Sequence, residues 1–396
     1  MSTSKSSGPL AGVKIVDLST MISGPLTAMM LADQGADVIK VESPGTGDMM
    51  RHLGTRKNDM TAIYALHNRG KKSLVVDMKK AQGKEVFTRL VQDADVLIQN
   101  FRPGAMERLG FGYDDVVKIN PSIIYVSIAG FGNDGPQANR RVYDNVIQAA
   151  SGLASVQTDK VTGKPAIIKH LVCDKTTSYT AAQSICAALF ARERGAGGQH
   201  ITLSMLDTAI AFTWLDAAMD SALLDDDVTH LPTIASGYAA LEFIDGYATT
   251  SIVSQSEFEG YMKVLGIPEM ITDPRFKDIP SRNANSDEYK RIVTDRIKAM
   301  TLAEFLEGAI EHDVPASGLN TLDSVIDEPQ IIHNETFVVR THPVVGTIRE
   351  ARSAPRFSGT PIHIGDHAPV MGQHSDEIVE SLGFNAAELR AAGIIA

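Results

Sequence analysis

Short apolar runs alternate with amphipathic segments over the first third of the chain. The runs include GVKIVDLS from Gly12, DVIKVES from Asp37 and SIIYVSIAGFG from Ser122, and segments such as KKAQGKEVFTRLVQDA separate them. Continuous apolar strands that alternate with helices are typical of a parallel sheet covered on both faces. The pattern predicts a doubly wound α/β domain.

A different pattern begins after the acidic residues 225–227. A strand pair is predicted around the turn at Asp245-Gly246, and short amphipathic helices such as SEFEGYMKVLG and LAEFLEGAIEHD follow it. The tail contains the strand-rich VVRTHPVVGTIREAR and ends in an amphipathic helix. We therefore predict a large α/β domain at 1–225, a small α+β domain at 226–330, and a segment at 331–396 that completes the large domain.

The charge and composition of the chain exclude some classes of binding partner and cellular location. The 396 residues carry 37 Lys+Arg against 48 Asp+Glu, a net charge of −11, which argues against binding to nucleic acid or an anionic membrane. Neither a membrane span nor the apolar core of a signal peptide is recognisable. Cys173 and Cys186 form no CxxC motif, so we expect a cytoplasmic protein.

Two short motifs suggest cofactors at first sight. Gly130, Gly132 and Gly135 formally match GxGxxG, but they follow a late strand rather than the first, so a loop near the active site is predicted instead of a dinucleotide site. His363 and His367 have the spacing of a metal site, but the surrounding Gly and Pro residues argue against the helix that would align them. We predict no metal and no permanently bound cofactor.

Asp174 stands between an apolar run and a long helical segment, TTSYTAAQSICAALFARER. A carboxylate there is suited to cap the helix, and the helix dipole favours its ionised form. An anionic carboxylate at neutral pH can equally serve as a nucleophile. The residues alone leave both roles open.

A basic set accompanies the strand ends of the first domain despite the acidic total. Ligands of open α/β sheets bind beyond the carboxyl ends of the strands, so these cations are candidates to surround a phosphorylated ligand, although scattered solvated charges fit the pattern equally well. The set comprises Arg51, Lys71, Lys72, Arg102, Arg108, Arg140 and Arg141.

Several long motifs, taken in order, resemble the class III CoA-transferases, the family of formyl-CoA transferase and carnitine CoA-transferase, related to the α-methylacyl-CoA racemases. They are GPLAGVKIVDLSTMISGPLTAMMLADQGADVIKVESPGTGD, NRGKKSLVVDM, DVLIQNFRPGAMERLGFGYDDVVKINPSIIYVSIAGFGNDGP, CDKTTSYTAAQSICAALFARERGAGGQHITLSML, DPRF and APVMGQHSDEIVESLGF.

The resemblance implies a Rossmann-like large domain built from both ends of the chain, a small domain between them, and an interlocked homodimer. It places Asp174 on the catalytic aspartate, which forms aspartyl anhydride and aspartyl-CoA intermediates, with Tyr143 beside it. The substrates implied are an acyl-CoA, whose coenzyme A is the group transferred, and a carboxylic acid.

The resemblance also indicates residues that bind CoA or the thioester, and a glycine loop that closes over them. Arg51 and Lys72 are added on charge and placement. The binding residues are Met21, Ile22, Ser23, Gly24, Arg51, Lys72, Asn100, Phe101, Arg108, Arg141 and Val142, and the loop carries Gly130, Gly132 and Gly135.

Two positions favour a transferase over a racemase. Racemases place a His before the Asp where this chain has Tyr143-Asp144, and their partner acid would fall near Gln255, so both bases are absent. A racemase is the alternative enzyme, and a non-catalytic acyl-CoA-binding protein is the alternative outside enzymes.

The chain also departs from the family pattern. Met21 and Ile22 replace a polar residue, TTSIVSQS at 249–256 replaces a glycine-rich loop, and Ser43 replaces a basic residue. The first two departures weigh against formate or oxalate as the substrate and against shielding of the intermediate by a glycine-rich loop, and Ser43 stands where the family's basic residue would lie near the adenine.

Overall fold

The computed structural model describes residues 7–159 and 161–396. The strands are β1 (Lys14–Asp17), β2 (Asp37–Glu42), β3 (Arg56–Lys57), β4 (Met60–Thr61), β5 (Lys71–Val75), β6 (Val96–Gln99), β7 (Ile124–Ala129), β8 (Gln199–Ser204), β9 (Leu241–Glu242), β10 (Tyr247–Thr250), β11 (Ala316–Gly318), β12 (Phe337–His342) and β13 (Gly346–Ala351).

Helices separate most of these strands. They are α1 (Ser23–Asp33), α2 (Ala62–Asn68), α3 (Ala81–Gln92), α4 (Ala105–Leu109), α5 (Tyr113–Ile119), α6 (Asp144–Ala150), α7 (Leu153–Val156), α8 (Val172–Ala191), α9 (Met205–Ala217), α10 (Met219–Ala222), α11 (Gln255–Val264), α12 (Ile279–Ala284), α13 (Ser286–Ile297), α14 (Leu302–Glu311), α15 (Pro329–His333), α16 (Ser375–Ser381) and α17 (Ala386–Ala391).

A six-stranded parallel sheet forms the centre of the first compact unit. Its order is β5-β2-β1-β6-β7-β8, and each neighbouring pair is parallel. If the six strands of this sheet are renumbered in chain order, their spatial order is 3-2-1-4-5-6, which is the Rossmann order. In this order the strands that follow β1 are added first on one side of it and then on the other. The predicted α/β class is confirmed, and the order creates a crevice at the carboxyl ends of β1 and β6.

Both faces of the sheet are covered, which explains the continuous apolar runs. All residues of β6 and β7 are buried. One face packs against residues such as Phe87 of α3 and Val379 of α16, and the other against Leu31 of α1 and Ile185 of α8. A strand buried on both sides needs apolar residues at every position rather than at alternate ones.

The chain divides into two compact units, one extending to Leu215 and resumed at Glu335–Ala396, the other comprising Asp216–Asn334. The division therefore comes ten residues before the predicted boundary at 226. The segment LDTAIAFTWLDAAMDSALL forms two helices, since α9 ends at Ala217 and α10 begins at Met219. The acidic residues 225–227 lie within the second unit.

The last residues complete the first unit. The N–H of His374 donates to the carbonyl of Ser73 at 3.0 Å, and Ile395 forms a bridge with Val76 next to β5. Ile394 and Ile395 are buried in the core beneath α3.

The second unit packs α11 and α14 on the antiparallel sheet β11-β10-β9. The turn at Asp245-Gly246 joins β9 to β10, since the N–H of Phe243 donates to the carbonyl of Gly246 at 2.9 Å. Both helices begin with reciprocal caps, Ser254 with Glu257 and Thr301 with Glu304, which satisfy N–H groups that have no partner within the helix. Across the described part of the chain, no helix combines the length and apolar character needed to cross a membrane.

Candidate active site

A cavity of about 290 Å³ opens at the crevice between β1 and β6, where an open α/β sheet binds its ligand. Larger cavities of about 660 and 710 Å³ lie elsewhere in the first unit, and neither is lined by Asp174. The lining of the crevice cavity is Thr20, Met21, Ser23, Asn100, Phe101, Arg102, Pro103, Ile128, Ala129, Gly130, Ala138, Arg140, Arg141, Val142, Tyr143, Asp174 and Met205.

The turn after β1 is tied to the end of β6. The N–H of Thr20 donates to Asn100 Oδ1 at 2.9 Å, and Asn100 Nδ2 donates to the carbonyl of Thr20 at 2.7 Å. Met21 has a φ of 67°, a conformation rare for a residue with a side chain, and its N–H donates to Asp48 Oδ1 at 3.1 Å. Neighbouring side chains therefore hold a strained turn at the mouth of the cavity.

Two predicted glycines are required by close packing. A Cβ on Gly24 would lie 2.2 Å from the Cβ of Ser19, and one on Gly130 would lie 2.0 Å from Val142 Cγ1. Both distances are far inside van der Waals contact, so α1 and the loop after β7 could not approach these neighbours with any other residue.

Asp174 is the third residue of α8 and does not cap it. The predicted N-cap position is wrong, because the helix begins at Val172 and its N-cap residue is Leu171, which makes no side-chain cap. The N–H of Asp174 instead donates to Asp144 Oδ2 at 2.9 Å. Ser178 Oγ donates to the carbonyl of Ser23 at 2.8 Å, which joins the start of α8 to the start of α1.

The charge state of Asp174 also differs from the sequence-based expectation. Burial, with a smaller contribution from the nearby Asp144 carboxylate, raises the pKa of Asp174 to about 7, and hydrogen bonds from the backbone and side chain of Ser23 oppose the shift. We expected the helix start to keep the carboxylate fully ionised at neutral pH. Burial disfavours the charged form, so the start of the helix does not keep the carboxylate fully ionised at neutral pH.

Comparison with known proteins places the chain in a family. Residues 10–375 match the model of CoA-transferase family III. Human succinyl-CoA:glutarate CoA-transferase is 33% identical over 98% of this chain and 90% of that protein. Escherichia coli formyl-CoA:oxalate CoA-transferase is 29% identical over 97% of this chain and 98% of that protein.

The chain belongs to CoA-transferase family III. The crystal structure of a CAIB/BAIF family protein from Brucella suis superposes with a TM-score of 0.82 at 30% identity, covering 95% of this chain and 100% of that one. The predicted family and enzyme class are confirmed, and CoA thioesters are its substrates.

The structure of this CoA-transferase brings together nine of the residues predicted for the site. Asp174 lies with residues of three loops, those after β1, β6 and β7, around one cavity. The nine are Met21, Ser23, Asn100, Phe101, Gly130, Arg141, Val142, Tyr143 and Asp174.

Two predicted cations are engaged elsewhere in the CoA-transferase. Arg51 is buried, donates to Glu42 Oε1 and Oε2 at 2.8 and 2.6 Å, and lies 3.8 Å over the ring of Tyr64. Lys72 is near the start of β5 and therefore lies at the amino ends of the strands, away from the crevice at their carboxyl ends. It pairs with Glu377 on the surface. The remaining predicted residues outside the cavity lining are Ile22, Gly24, Arg108, Gly132 and Gly135.

Asp144 is a residue that sequence reasoning missed. It is 3% exposed, and no local signal ties it to Asp174, which lies thirty positions later. In the sequence it is noted only as the Asp after Tyr143 in the comparison with racemases, and the structure places it at the first residue of α6. Arg102 and Arg140 of the predicted basic set also line the cavity of this CoA-transferase.

Proposed function

We propose that this CoA-transferase moves CoA from an acyl-CoA thioester to a carboxylic acid through covalent intermediates on Asp174. The observation that supports this most is the placement of the Asp174 side chain in the crevice cavity. The neighbouring thiol is a poor alternative nucleophile, because Cys173 is 1% exposed and burial raises its pKa to about 12.

The proposed reaction conserves the high energy of the thioester. The Asp174 carboxylate attacks the donor carbonyl, the C–S bond breaks, and CoA leaves as a thiolate from an acyl-aspartyl anhydride. The thiolate attacks the aspartyl carbonyl and releases the donor acid, which leaves an aspartyl-CoA thioester.

The second half reverses these steps with the acceptor. The acceptor carboxylate attacks the aspartyl thioester and displaces CoA, which gives a second anhydride. The thiolate then attacks the acceptor carbonyl, so the new acyl-CoA forms and the Asp174 carboxylate is restored. Each intermediate is open to hydrolysis, so the site must exclude water.

The arginines around the cavity suit anionic substrates. Arg102, Arg140 and Arg141 line it, and guanidinium groups bind carboxylates and phosphates in bidentate fashion. Relatives are named for succinate and glutarate, so these dicarboxylic acids are the first acceptors to test. We propose that Tyr143 contacts the substrate, since it borders the cavity and is 66% exposed.

We propose that the protein acts as a cytoplasmic homodimer, interlocked as the family resemblance implies. Large apolar side chains of α9, Phe212, Trp214 and Leu215, are 54%, 50% and 88% exposed, and burial against a second copy would remove them from water. Light scattering is expected to give twice the mass of 42.6 kDa, and a monomer would refute this part of the proposal.

Trapping of the intermediate tests the chemistry. On incubation with succinyl-CoA, intact-protein mass is expected to rise by the CoA adduct, and hydroxylamine is expected to convert Asp174 to a hydroxamate. Asp174→Ala is expected to lose the adduct and to lower transfer by about 10³-fold or more. Asp226→Asn, an exposed carboxylate in the acidic run, is the matched control and is expected to retain both.

The same experiment separates the alternatives. An α-methylacyl-CoA racemase would exchange the α-hydrogen with deuterated water without a free acid. A protein that only binds acyl-CoA would neither form the adduct nor transfer CoA. If no member of a panel of acyl-CoA esters changes the protein's mass, the covalent proposal fails.

A further inference from the structure

We propose that Asp144 is a positioning residue for Asp174: with Gln148 it holds the first turn of α8 in place, and its negative charge opposes that of the Asp174 carboxylate. The inference rests on the proposed function of Asp174 as nucleophile.

The contacts of Asp144 connect α6 to the start of α8. Its Oδ2 accepts the N–H of Asp174 at 2.9 Å, and its Oδ1 accepts Gln148 Nε2 at 2.6 Å. The first N–H groups of a helix have no partner within the helix, and Leu171 provides no side-chain cap. Asp144 therefore does for α8, from a different helix, what an N-cap residue normally does.

Gln148 extends this connection to the segment before α8. The amide is 1% exposed. Its Nε2 donates to the carbonyls of Ile168 and His170 at 3.1 and 3.2 Å, and its Oε1 accepts the N–H of Ile168 at 2.9 Å. One turn of α6 thus anchors residues 168–174, and the backbone that carries the nucleophile has little freedom.

A cap alone does not require a second buried charge. Ser, Thr or Asn would supply the same acceptor oxygen, whereas a carboxylate 3% exposed next to another carboxylate is costly. No ion pair with a cation within 4 Å is found for Asp144 or Asp174 in the described ranges 7–159 and 161–396. The charge itself therefore calls for an explanation.

Acylation of Asp174 supplies one. The attacking carboxylate is an anion, whereas the anhydride and the thioester are neutral at that oxygen. Asp144 destabilises the anion and leaves the acylated forms unaffected, so its charge favours formation of the covalent intermediate. The same interaction contributes to the raised pKa of Asp174, because protonation and acylation both remove the charge.

Other charged or titratable groups around Asp174 must be distinguished from Asp144. Lys175 follows it on α8 and lies 2.9 Å from His170 through Nζ and Nε2. Burial lowers the pKa of Lys175 and Asp144 opposes this. The other charged or titratable groups near it are Cys173 on α8, Tyr143 before α6, and the cavity arginines Arg102, Arg140 and Arg141.

The pH dependence of kcat/KM for the acyl-CoA donor tests the charge. This ratio reports ionisation of the free enzyme. Asp144→Asn can keep the acceptor oxygen for the Asp174 N–H but gives up the one for Gln148 Nε2, and it removes the charge. The acid limb is therefore expected to move down by about one pH unit, a tenfold change in proton affinity. The yield of CoA adduct at a fixed ratio of acyl-CoA donor to its free acid is expected to fall by about the same factor.

Matched variants separate charge from structure. Gln148→Leu loosens the anchor but keeps the charge, so kcat is expected to fall at every pH with the limb unmoved. Asp226→Asn removes an exposed charge and is expected to change neither. His170→Gln is expected to leave the limb in place, which shows that the imidazole does not produce it.

The outcomes distinguish failure of the proposed function from failure of the inference about Asp144. If Asp174→Ala remains active and forms an adduct, the proposed function fails. If Asp174 is required but the limb of Asp144→Asn stays at the wild-type pH, only this inference is overturned. Should Asp144→Asn not fold, Asp144→Ser repeats the test, and failure of both to fold would show that the fold itself requires the carboxylate and would overturn the inference.

Discussion

Two sets of buried carboxylates lie in the first unit, and their neighbours differ. In the balanced set, Lys71 lies 2.7 Å from Asp17, Lys40 2.9 Å from Asp48 and Arg51 2.6 Å from Glu42. In the unbalanced pair, Asp144 and Asp174 accept hydrogen bonds, and among the described residues neither forms an ion pair with a cation within 4 Å.

The same burial therefore has opposite consequences. Ammonium and guanidinium neighbours lower the pKa values of Asp17 and Glu42 despite their desolvation, whereas the pKa of Asp174 rises to about 7. Paired carboxylates remain inert anions that hold the fold together. An unpaired carboxylate remains reactive because its charged form is not fully stabilised.

The balanced set supports the site without lining it. Lys40 Nζ donates to the carbonyl of Ser19 at 2.8 Å, Ser19 Oγ donates to Asp17, and Asp48 accepts the N–H of Met21. These contacts hold the turn that carries Ser23 towards Asp174.

The largest expected effect on stability comes from removing a buried cation of the balanced set. Lys40→Met leaves Asp48 without its buried cation and removes one of the two buried lysines near Asp17, so the free energy of unfolding is expected to fall by about 3–5 kcal/mol in urea denaturation. Lys14→Met removes a lysine that is half exposed and pairs with Asp93, and is expected to cost at most about 1 kcal/mol. Equal losses in the two variants would contradict the distinction between buried and surface pairs.

A smaller effect is expected from changing the geometry while keeping the charge. Arg51→Lys retains a cation but loses one of two hydrogen bonds to Glu42 and the stacking on Tyr64, so a loss of about 1–2 kcal/mol is expected. Arg390→Lys, at an exposed pair with Asp376, is expected to change stability by less than about 0.5 kcal/mol. If Arg51→Lys instead weakens CoA binding with unchanged stability, Arg51 belongs to the binding site as the sequence predicted.

A third effect on stability has the opposite sign and depends on pH. The pKa of Asp174 is raised from 3.8 to about 7, so the folded state holds a proton that the unfolded state has released, and stability falls as pH rises through this window. Asp174→Asn removes this penalty. Its stability relative to wild type is expected to increase from pH 4 to pH 7 and then level off, with a gain of up to about 4 kcal/mol, read from the melting temperatures of both proteins across the pH series.

Asp17→Asn is the matching variant in the balanced set, and its stability is to be measured over the same pH series as that of Asp174→Asn. Its native pKa is lowered, so the wild type is stabilised by ionisation and the variant is expected to be less stable above about pH 4. Parallel curves for the two variants would show that the two environments do not differ.

The strands were predictable because their signal is local. A run such as DVIKVES is apolar at successive positions whatever surrounds it, and β2 spans Asp37–Glu42. The start of α8 was not predictable, because its cap comes from Asp144 on another helix. Arg51 and Lys72 were misjudged for a related reason: a positive charge in the sequence does not reveal that Glu42 or Glu377 already pairs with it.

The sequence by itself determined the alternation of strands and helices, the family motifs and the identity of Asp174 as the candidate nucleophile. The alternation depends on residue type and on spacing within one segment, whereas the choice of Asp174 depends on the resemblance that the motifs carry. The tertiary structure decided which loops share the cavity, which cations are already paired, and how far the proton affinity of Asp174 is shifted. Those properties depend on distances between residues far apart in the chain and on exclusion of water, which exist only after the sheet and its helices have packed.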